Sequence, residues 1–575
     1  MNYRDKYDQW INSDIIDEAT KTELKKIKDE KELEDRFYKD LEFGTGGLRG
    51  IIGAGSNRLN IYTVGKATQG FSDYLNSKSA APKVAIAYDS RHMSREFSEY
   101  AARVLAANNV KVYLYDKLTP TPMLSYAVRD LKCDGGIVIT ASHNPKEYNG
   151  YKVYGSDGCQ VTDIPAGEII EYVNKVSDFG AIKVMELETA LKENKITYIG
   201  EEIYTRYIEK VKKLAIRKQL IKDHGKKLKI IYTPLHGSGN VPVRRVLKEL
   251  SYENVMVVKE QELPDGDFPT APYPNPEDPK VFKIALSMAE KVNPDIIMGT
   301  DPDCDRIGVV VKDNRGEYRV LSGNQVGVLL AEYIISAMKE EGTLPYKGTV
   351  IKTIVSTDMV KPICKDFGIE LIEVLTGFKY IGETIKGFED NNETERFIMG
   401  FEESYGYLAG GFVRDKDAVI AASLICEMTL YYKLKGKTLY EGLMDLYDTY
   451  GYYKEKLVSI EQKGKEGQEK IKEIIDDFRN SDIDTLGSFK SAYKEDYKLK
   501  VRKNMADGRE EPLHLPQSNV IKYIFEDGSF FVVRPSGTEP KMKVYIGVRG
   551  DTEKEADENI DIMENSILEK INKLL

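Results

Sequence analysis

Short apolar runs alternate with amphipathic segments along most of the chain. The apolar runs predict strands at residues 84–88, 110–115, 136–140, 229–232, 255–258, 295–298, 307–311, 349–355, 370–375 and 397–399. Helical periodicity lies between them, for example at residues 96–107, 241–250, 359–367 and 418–432. Strands that alternate with helices are typical of α/β domains whose largely parallel sheets are covered on both faces.

The pattern changes at both ends of the chain. Residues 1–40 alternate charged and apolar positions and predict helices that cap the first domain. Strand-like runs follow one another closely at 520–525, 529–533 and 541–548, the first two as a hairpin, and a helix at 552–574 closes the chain. We predict three consecutive α/β domains with mixed, largely parallel sheets and a smaller α+β domain around a central cleft. Their predicted bounds are 1–200, 201–320, 321–440 and 441–575.

Composition narrows the functional classes. The 575 residues include 83 Lys and Arg against 93 Asp and Glu, a net charge of −10, which argues against a nucleic-acid partner or an anionic membrane surface. The five cysteines are widely spread without a CxxC pair, so we expect neither a disulfide framework nor a zinc site, and we predict a cytoplasmic location. The longest apolar stretch, 419–432, contains Glu427 and is too short to span a bilayer.

The loop after the predicted strand at 136–140 is the most informative. Its sequence, TASHNP, places Ser142 beside His143 at the carboxyl end of the strand, where ligands of open α/β sheets bind. The Asn-Pro pair that follows favours a turn that exposes both side chains. The alternative is that Ser142 and His143 are ordinary turn residues. A Ser-His-Asp hydrolase is a poor match, because the GxSxG elbow is missing.

A second loop, DPDCDR, carries Asp301, Asp303 and Asp305 directly after an apolar strand. Three carboxylates so close together repel one another unless a cation lies between them. Oxygen ligands in small number favour Mg²⁺, which keeps coordination positions open for phosphate. An acidic turn that caps a helix is the alternative, but three aspartates exceed what capping needs.

Two further loops contain candidate sugar-binding residues. Glu402 and Ser404, in the segment GFEESYG, can hydrogen-bond vicinal sugar hydroxyls, although exposed carboxylates are usually only solvated. Lys416 follows in the segment RDKD and is a candidate proton donor or acceptor.

Two loops favour anion binding. The segment RPSGTEP combines a cation, two hydroxyls and a glycine, and thus indicates a phosphate cradle without a P-loop, formed by Arg534, Ser536, Gly537 and Thr538. A tight turn is the alternative. The segment FGTGGLRG differs from a dinucleotide fingerprint because Arg49 stands where the third glycine belongs, so Arg49 is better explained as an anion ligand.

Taken together, these loops resemble those of the α-D-phosphohexomutase superfamily. FGTGGLRG, TASHNP, DPDCDR, EES and RPSGTEP occur in the family's order, and the agreement extends from about residue 41 to 548. The segments TGFK at 376–379 and GFEESYGYLAGGF at 400–412 are most similar to the bacterial phosphoglucomutase branch, related to the phosphopentomutase-like branch.

The resemblance implies a reaction and a set of residues. Ser142 would carry a phosphoryl group and, with Asp301, Asp303 and Asp305, would hold Mg²⁺. Glucose 1-phosphate and glucose 6-phosphate would interconvert through glucose 1,6-bisphosphate, which turns over in the site. Arg49, His143 and Lys152 would supply charge near the serine. Lys416 would transfer the proton, with Lys152 and His143 as competitors. Phosphate or sugar binding would fall to Arg306, Thr376, Gly377, Lys379, Glu402, Ser404, Arg534, Ser536, Gly537 and Thr538.

Alternatives remain at each level. The sugar phosphate could be that of mannose or a pentose. A Mg²⁺-dependent phosphatase with an aspartyl nucleophile would explain Asp301 and Asp303 but would leave TASHNP and RPSGTEP without a role. A non-catalytic sugar-phosphate sensor is the third alternative. We expect a sugar phosphate as the partner, with neither nucleic acid nor membrane, and a monomer or weak homodimer.

Overall fold

A computed structural model of the chain describes residues 2–44, 46–462, 464–535 and 541–575. The first six-stranded sheet has the order β1-β5-β4-β2-β3-β6, in which β1 and β5 run antiparallel to their neighbours and the other pairs are parallel. Its elements are α1 (Tyr3–Asn12), α2 (Glu18–Lys25), α3 (Glu30–Phe37), β1 (Gly47–Ile51), α4 (Ile61–Lys78), β2 (Lys83–Tyr88), α5 (Ser94–Ala107), β3 (Lys111–Tyr115), α6 (Thr121–Asp130), β4 (Gly135–Ile139), β5 (Tyr148–Gly155), α7 (Asp163–Lys175), α8 (Leu187–Lys192) and β6 (Ile196–Ile199).

Both faces of this sheet are buried. Val84 and Ile86 of β2 pack in one apolar core, whereas Ala85 and Ala87 of the same strand pack in another. This alternation follows from the two-residue period of a strand. The strand is therefore apolar from Val84 onward, and the apolar run predicted it for this reason.

The second sheet has the order β11-β10-β9-β7-β8, with β9, β7 and β8 parallel and β10 and β11 antiparallel. Its elements are α9 (Glu201–Lys213), α10 (Lys218–His224), β7 (Ile230–Thr233), α11 (Asn240–Glu249), β8 (Val255–Val257), α12 (Lys259–Glu262), α13 (Lys283–Val292), β9 (Ile296–Thr300), β10 (Ile307–Lys312) and β11 (Tyr318–Leu321).

The third sheet has the order β13-β12-β14-β15 and is parallel except for β15. Its elements are α14 (Gly323–Glu340), β12 (Thr349–Thr353), α15 (Val360–Phe367), β13 (Glu370–Val374), α16 (Phe378–Asp390), β14 (Phe397–Glu402), β15 (Gly406–Ala409), α17 (Ala418–Leu434) and α18 (Leu439–Tyr450). Short 3₁₀ turns at Phe179–Ala181, Gly225–Lys227, Pro279–Phe282 and Thr394–Arg396 complete these three units.

The last sheet is antiparallel and has the order β16-β23-β22-β21-β18-β19-β20, with β17 paired to β18. Its elements are β16 (Tyr452–Glu461), α19 (Gly464–Asn480), β17 (Thr485–Leu486), β18 (Phe489–Asp496), β19 (Val501–Asn504), β20 (Glu510–Pro512), β21 (Ile521–Phe525), β22 (Phe530–Pro535), β23 (Lys541–Gly550) and α20 (Glu553–Asn572).

The predicted fold class, three α/β units with mixed sheets followed by an α+β unit, is confirmed. The sequence pattern missed β5, because Asn149, Gly150 and Lys152 interrupt its apolar residues. The domain bounds stay a prediction, and the one at residue 440 falls inside α18. In the described part of the chain, no helix is both long and apolar enough to cross a membrane. The stretch at 419–432 forms the interior of α17, which is buried along nearly its whole length.

Candidate functional site

Ser142 lies in a tight turn three residues after β4. Its φ of +52° places it in the left-handed region, which is uncommon for a residue other than glycine and is typical of constrained functional turns. The Ser142 N–H donates to Thr140 Oγ1 (2.8 Å), and the Thr140 hydroxyl donates to Asp89 Oδ2 (2.6 Å). The backbone of Ser142 is therefore held at the end of the strand by a bond within its own turn.

Arg91 holds the rest of this turn from behind. Its guanidinium donates to the carbonyl oxygens of Ser142 (2.6 Å), Pro145 (2.9 Å) and Tyr148 (3.1 Å), and also to that of Asn144. Buried Asp89 lies 3.4 Å from Arg91 Nε and balances its charge. Sequence reasoning missed both residues, although Asp89 and Arg91 follow a predicted strand just as the recognised loops do.

Three aspartates converge on the loop after β9. Oxygen atoms of Asp301, Asp303 and Asp305 lie within 4.8 Å of one another, and all three side chains are buried. Oδ1 of Asp303 and Oδ1 of Asp305 have no hydrogen-bond partner although they are buried. Buried carboxylate oxygens without partners are costly in a protein interior and fit the donor set of a hard divalent cation.

The pKa values of these carboxyl groups agree with a cation site. Burial, together with the charges of Asp303 and Asp305, raises the pKa of Asp301 well above its usual range. Burial and the charge of Asp303 also raise the pKa of Asp305. Burial opposes ionisation of Asp303 as well, but Lys152 and Thr121 outweigh it and lower its pKa. Three carboxylates cannot all ionise here without positive charge between them, so the residues fit Mg²⁺.

The serine loop (residues 140–145) and the aspartate loop (residues 301–306) are in direct contact. Ser142 Oγ donates to Asp301 Oδ2 at 2.7 Å. Lys152 Nζ donates to Asp303 Oδ2 at 3.0 Å and lies 3.7 Å from Asp305 Oδ2. The structure therefore brings Ser142, Lys152 and the three aspartates together as the sequence predicts.

Cations surround His143 on the other side of the serine. His143 Nδ1 is 3.2 Å from Ser142 Oγ. Burial, followed by the charges of Arg306 and Arg49, lowers the pKa of His143 well below its usual range, so the imidazole is neutral. Arg306 Nη1 donates to Glu277 Oε1 at 2.7 Å, an acidic partner that the sequence motifs did not reveal.

Lys416 lies between the aspartate loop and the sugar loop (residues 400–406). Its Nζ is 3.2 Å from Asp415 Oδ1, 3.3 Å from Asp305 Oδ2 and 4.0 Å from Glu402 Oε1. Burial opposes the charge, but these three carboxylates outweigh it and raise the pKa of Lys416 above its ordinary value. A lysine that acts as a base at neutral pH needs neighbouring cations to lower its pKa, and the surroundings of Lys416 are acidic instead.

The remaining predicted residues of the third α/β unit follow strands β13 and β14. Ser404 hydrogen-bonds Glu402, and the buried Oγ1 of Thr376 has no hydrogen-bond partner. Gly377, with φ +118°, starts α16 in a conformation that favours glycine. Lys379 is engaged elsewhere, because its Nζ donates to Asp163 Oδ1 at 2.7 Å.

Arg534 reaches the site from the fourth sheet. It is the penultimate residue of β22, lies opposite Lys543 of β23 and hydrogen-bonds the hydroxyl of Tyr545. Lys543 in turn lies close enough to Glu277 and Glu403 for their charges to raise its pKa, although burial lowers it overall. The predicted phosphate ligands Ser536, Gly537 and Thr538 lie outside the described residues.

Family models match all four parts of the chain. They are those of phosphoglucomutase/phosphomannomutase α/β/α domain I at residues 40–179, domain II at 205–316 and domain III at 322–450, and of the C-terminal domain at 489–564. A curated phosphoglucomutase of Staphylococcus haemolyticus is 38% identical over 528 residues, which are 92% of this chain and 94% of that protein.

Solved structures agree in fold. Parafusin, described as a phosphoglucomutase of Paramecium and solved in an open form, has a TM-score of 0.67 at 18% identity and covers 93% of this chain and 96% of its own. A phosphomannomutase homologue from Thermus thermophilus has a TM-score of 0.65 at 21% identity, over 91% of this chain and 99% of its own. The chain therefore belongs to the phosphoglucomutase/phosphomannomutase family of the α-D-phosphohexomutase superfamily and is an enzyme, an isomerase that works by phosphoryl transfer.

Proposed function

We propose that this enzyme is a phosphoglucomutase that interconverts glucose 1-phosphate and glucose 6-phosphate through a phosphoserine at Ser142 and bound glucose 1,6-bisphosphate. The observation that carries the proposal is the contact between Ser142 Oγ and Asp301 Oδ2 at 2.7 Å, within a cluster of three buried aspartates. A hydroxyl at the edge of a cation site is placed for phosphoryl transfer, and the staphylococcal relative carries the same activity in its name.

Asp301, Asp303 and Asp305 would hold Mg²⁺, together with an oxygen of the serine or its phosphoryl group. The bound ion would supply positive charge to the phosphoryl oxygens and would neutralise Asp305, one of the three carboxylates that raise the pKa of Lys416. Lys152, Arg49 and neutral His143 border the same oxygens and would add charge and hydrogen bonds without a covalent step. Catalysis of this type is mainly positioning and electrostatic stabilisation.

Each transfer exchanges a phosphoryl group for a proton. The P–O bond to Ser142 breaks and a P–O bond to the free sugar hydroxyl forms, and the proton that the sugar hydroxyl loses is balanced by the proton that the serine oxygen gains. Lys416 is our choice for the group at the sugar hydroxyl, because its Nζ lies between Glu402 and Asp305. The other two candidates are placed elsewhere: Lys152 is bonded to Asp303, and His143 contacts Ser142. In the second transfer the bisphosphate returns its other phosphoryl group to Ser142.

Substrate binding would come from the third and fourth sheets. Glu402 and Ser404 would hold sugar hydroxyls, Thr376 and Gly377 would border the sugar, and Lys379 would join them after leaving Asp163. Arg534, with Ser536, Gly537 and Thr538, would bind the phosphate that is not reacting. Such a clamp holds the reacting hydroxyl in line, which effective-molarity arguments value at up to about 7–11 kcal/mol.

Intact-mass spectrometry tests the nucleophile. After incubation with glucose 1,6-bisphosphate, the wild-type chain should gain one phosphoryl group on the peptide that contains Ser142, and Ser142→Ala should gain none. Ser72→Ala, in a buried helix position whose hydroxyl only bonds Thr68 O, is the matched control and should behave like the wild type. A labelled aspartate would favour a phosphatase, and an unlabelled wild type would contradict the proposal.

A substrate panel tests the sugar. Glucose 1-phosphate should be converted with a higher kcat/KM than mannose 1-phosphate or ribose 1-phosphate, and a preference for either of these would replace glucose in the proposal. The cytoplasmic location predicted from the sequence is part of the same proposal. It is supported by five cysteines that are all free and buried.

A further inference from the structure

A hydrogen-bonded chain reaches Lys416 from the first domain. The hydroxyl of Tyr154 donates to Asp415 Oδ2 at 2.6 Å. Asp415 Oδ1 accepts from the backbone N–H of Lys416 at 2.8 Å, and Lys416 Nζ donates to the same oxygen at 3.2 Å. Tyr154 has no exposed surface and Asp415 is 4% exposed, so the bonds form in a water-poor interior, where they are stronger than at a surface.

The stem of Lys416 is fixed as well. A Cβ on Gly406 would lie 2.2 Å from Lys416 Cδ, so the lysine stem fills the space that the glycine leaves. The Lys416 ammonium also lies 5.5 Å from the centre of the Phe378 ring. With the stem enclosed, the direction of Nζ depends on which carboxylate holds it: Asp415 at 3.2 Å or Asp305 at 3.3 Å.

The bond to Asp415 keeps the Lys416 ammonium from bonding Asp305 alone. If Lys416 bonded only Asp305, its ammonium would lie on a predicted metal ligand rather than facing Glu402. Tyr154 fixes one oxygen of Asp415 and so turns the other toward Lys416. We propose that Tyr154 and Asp415 are positioning residues that hold Lys416 Nζ between the aspartate loop and the sugar loop. The inference rests on the proposed function, because it assigns Lys416 to the sugar hydroxyl.

The chain also links two domains. Tyr154 belongs to β5, the strand that carries Lys152, and the residues lie two positions apart on the same face. Asp415 belongs to the segment that precedes α17 in the third α/β unit. One strand therefore places Lys152 on the aspartate loop of the second α/β unit and, through Asp415, aligns Lys416 of the third.

Tyr154→Phe tests the inference, because it deletes one hydroxyl and keeps the ring. Tyr151→Phe is a matched control: Tyr151 lies on the same strand, is equally buried, and bonds Thr68 on the opposite side of the sheet. In the mutase assay we expect Tyr154→Phe to lower kcat about tenfold, with KM and the Mg²⁺ concentration for half-activity within about twofold of wild type. Tyr151→Phe should leave kcat unchanged.

A second variant separates positioning from folding. Asp415→Asn keeps an acceptor for Tyr154 but offers a weaker hold on Lys416, so kcat should fall further, and Asp415→Glu should recover part of it. Thermal unfolding of each variant is measured alongside. If the wild type shows mutase activity but Tyr154→Phe matches Tyr151→Phe in kcat, the inference is wrong. A loss that follows thermal stability or Mg²⁺ affinity also overturns it, whereas a wild type without mutase activity contradicts the proposed function instead.

Discussion

Ser142 Oγ lies 2.7 Å from Asp301 Oδ2, although 159 positions separate the two residues in the sequence. Each follows the end of a parallel strand, Ser142 after β4 and Asp301 after β9, in two different sheets. Because loops at the carboxyl ends of these strands face each other, a hydroxyl from one domain meets a carboxylate cluster from the next. The site therefore depends on how two sheets are docked, and not on one local motif.

Asp303→Asn should weaken Mg²⁺ binding by at least about tenfold and lower the rate at a fixed Mg²⁺ concentration. The asparagine can still accept from Lys152 and Thr121, but it removes one of the charges that offset a divalent ion. Isothermal titration with Mg²⁺ and a Mg²⁺ titration of activity measure the two effects. Asp223→Asn, at an exposed position of α10, is the control and should change neither. An unchanged titration for Asp303→Asn would mean that the ion binds elsewhere.

Arg91→Ala should destabilise the fold by about 3–5 kcal/mol, because it leaves the buried charge of Asp89 and several carbonyl oxygens without a partner. Arg91→Lys should restore little, since a lysine ammonium cannot span the carbonyls of Ser142, Pro145 and Tyr148 at once. Urea unfolding measures both changes. Arg95→Ala, which removes an exposed pair with Glu99, should cost less than about 1 kcal/mol. If Arg91→Ala lowers the free energy of unfolding by no more than Arg95→Ala does, the turn at Ser142 does not depend on Arg91.

The pKa of Asp417 predicts how the stability of the fold varies with pH. Burial raises the pKa of this helix cap to about 7, despite hydrogen bonds from the N–H groups of Val419 and Ile420 and from the Tyr207 hydroxyl. The folded state then binds a proton that the unfolded state has lost, so this contribution is full below about pH 4 and disappears as the pH rises to about 7. Asp417→Asn mimics the protonated acid.

The measurement is the melting temperature from pH 5 to pH 8. The wild type should lose stability relative to Asp417→Asn across this range, and Tyr207→Phe, which removes a bond to the ionised form, should extend the loss to higher pH. Parallel curves for the wild type and Asp417→Asn would show that the carboxyl group is already ionised at pH 5.

The sequence predicted those parts of the candidate site in which a functional residue follows an apolar strand. The run before Ser142 and the run before Asp301 are buried on both faces, so their strands and the loops after them are visible in the pattern. The Tyr154–Asp415 bond is not visible, because it joins residues 261 positions apart, and the segment RDKD that contains Asp415 was singled out for Lys416 alone. Lys379 shows the opposite case: its motif predicts a sugar contact, but its ammonium lies on Asp163.

Arg534→Ala should raise KM for glucose 1-phosphate about 10- to 100-fold, with a smaller effect on kcat. Arg534 lies near the end of β22, opposite Lys543. Its guanidinium can therefore bind the non-reacting phosphate by charge-assisted hydrogen bonds, each worth about 1.5–3 kcal/mol.

Steady-state kinetics over a range of sugar-phosphate concentrations measure this effect. Arg549→Ala, at an exposed position of β23 in the same sheet, removes an equal charge and should leave KM within about twofold of wild type. Arg534→Lys should recover part of the affinity, because a lysine restores the charge but not two parallel hydrogen bonds. A wild-type KM for Arg534→Ala would place the phosphate on other residues, with Arg306 and Lys543 as the next to test, since Arg306 lies near Glu402 and Lys543 near Glu403.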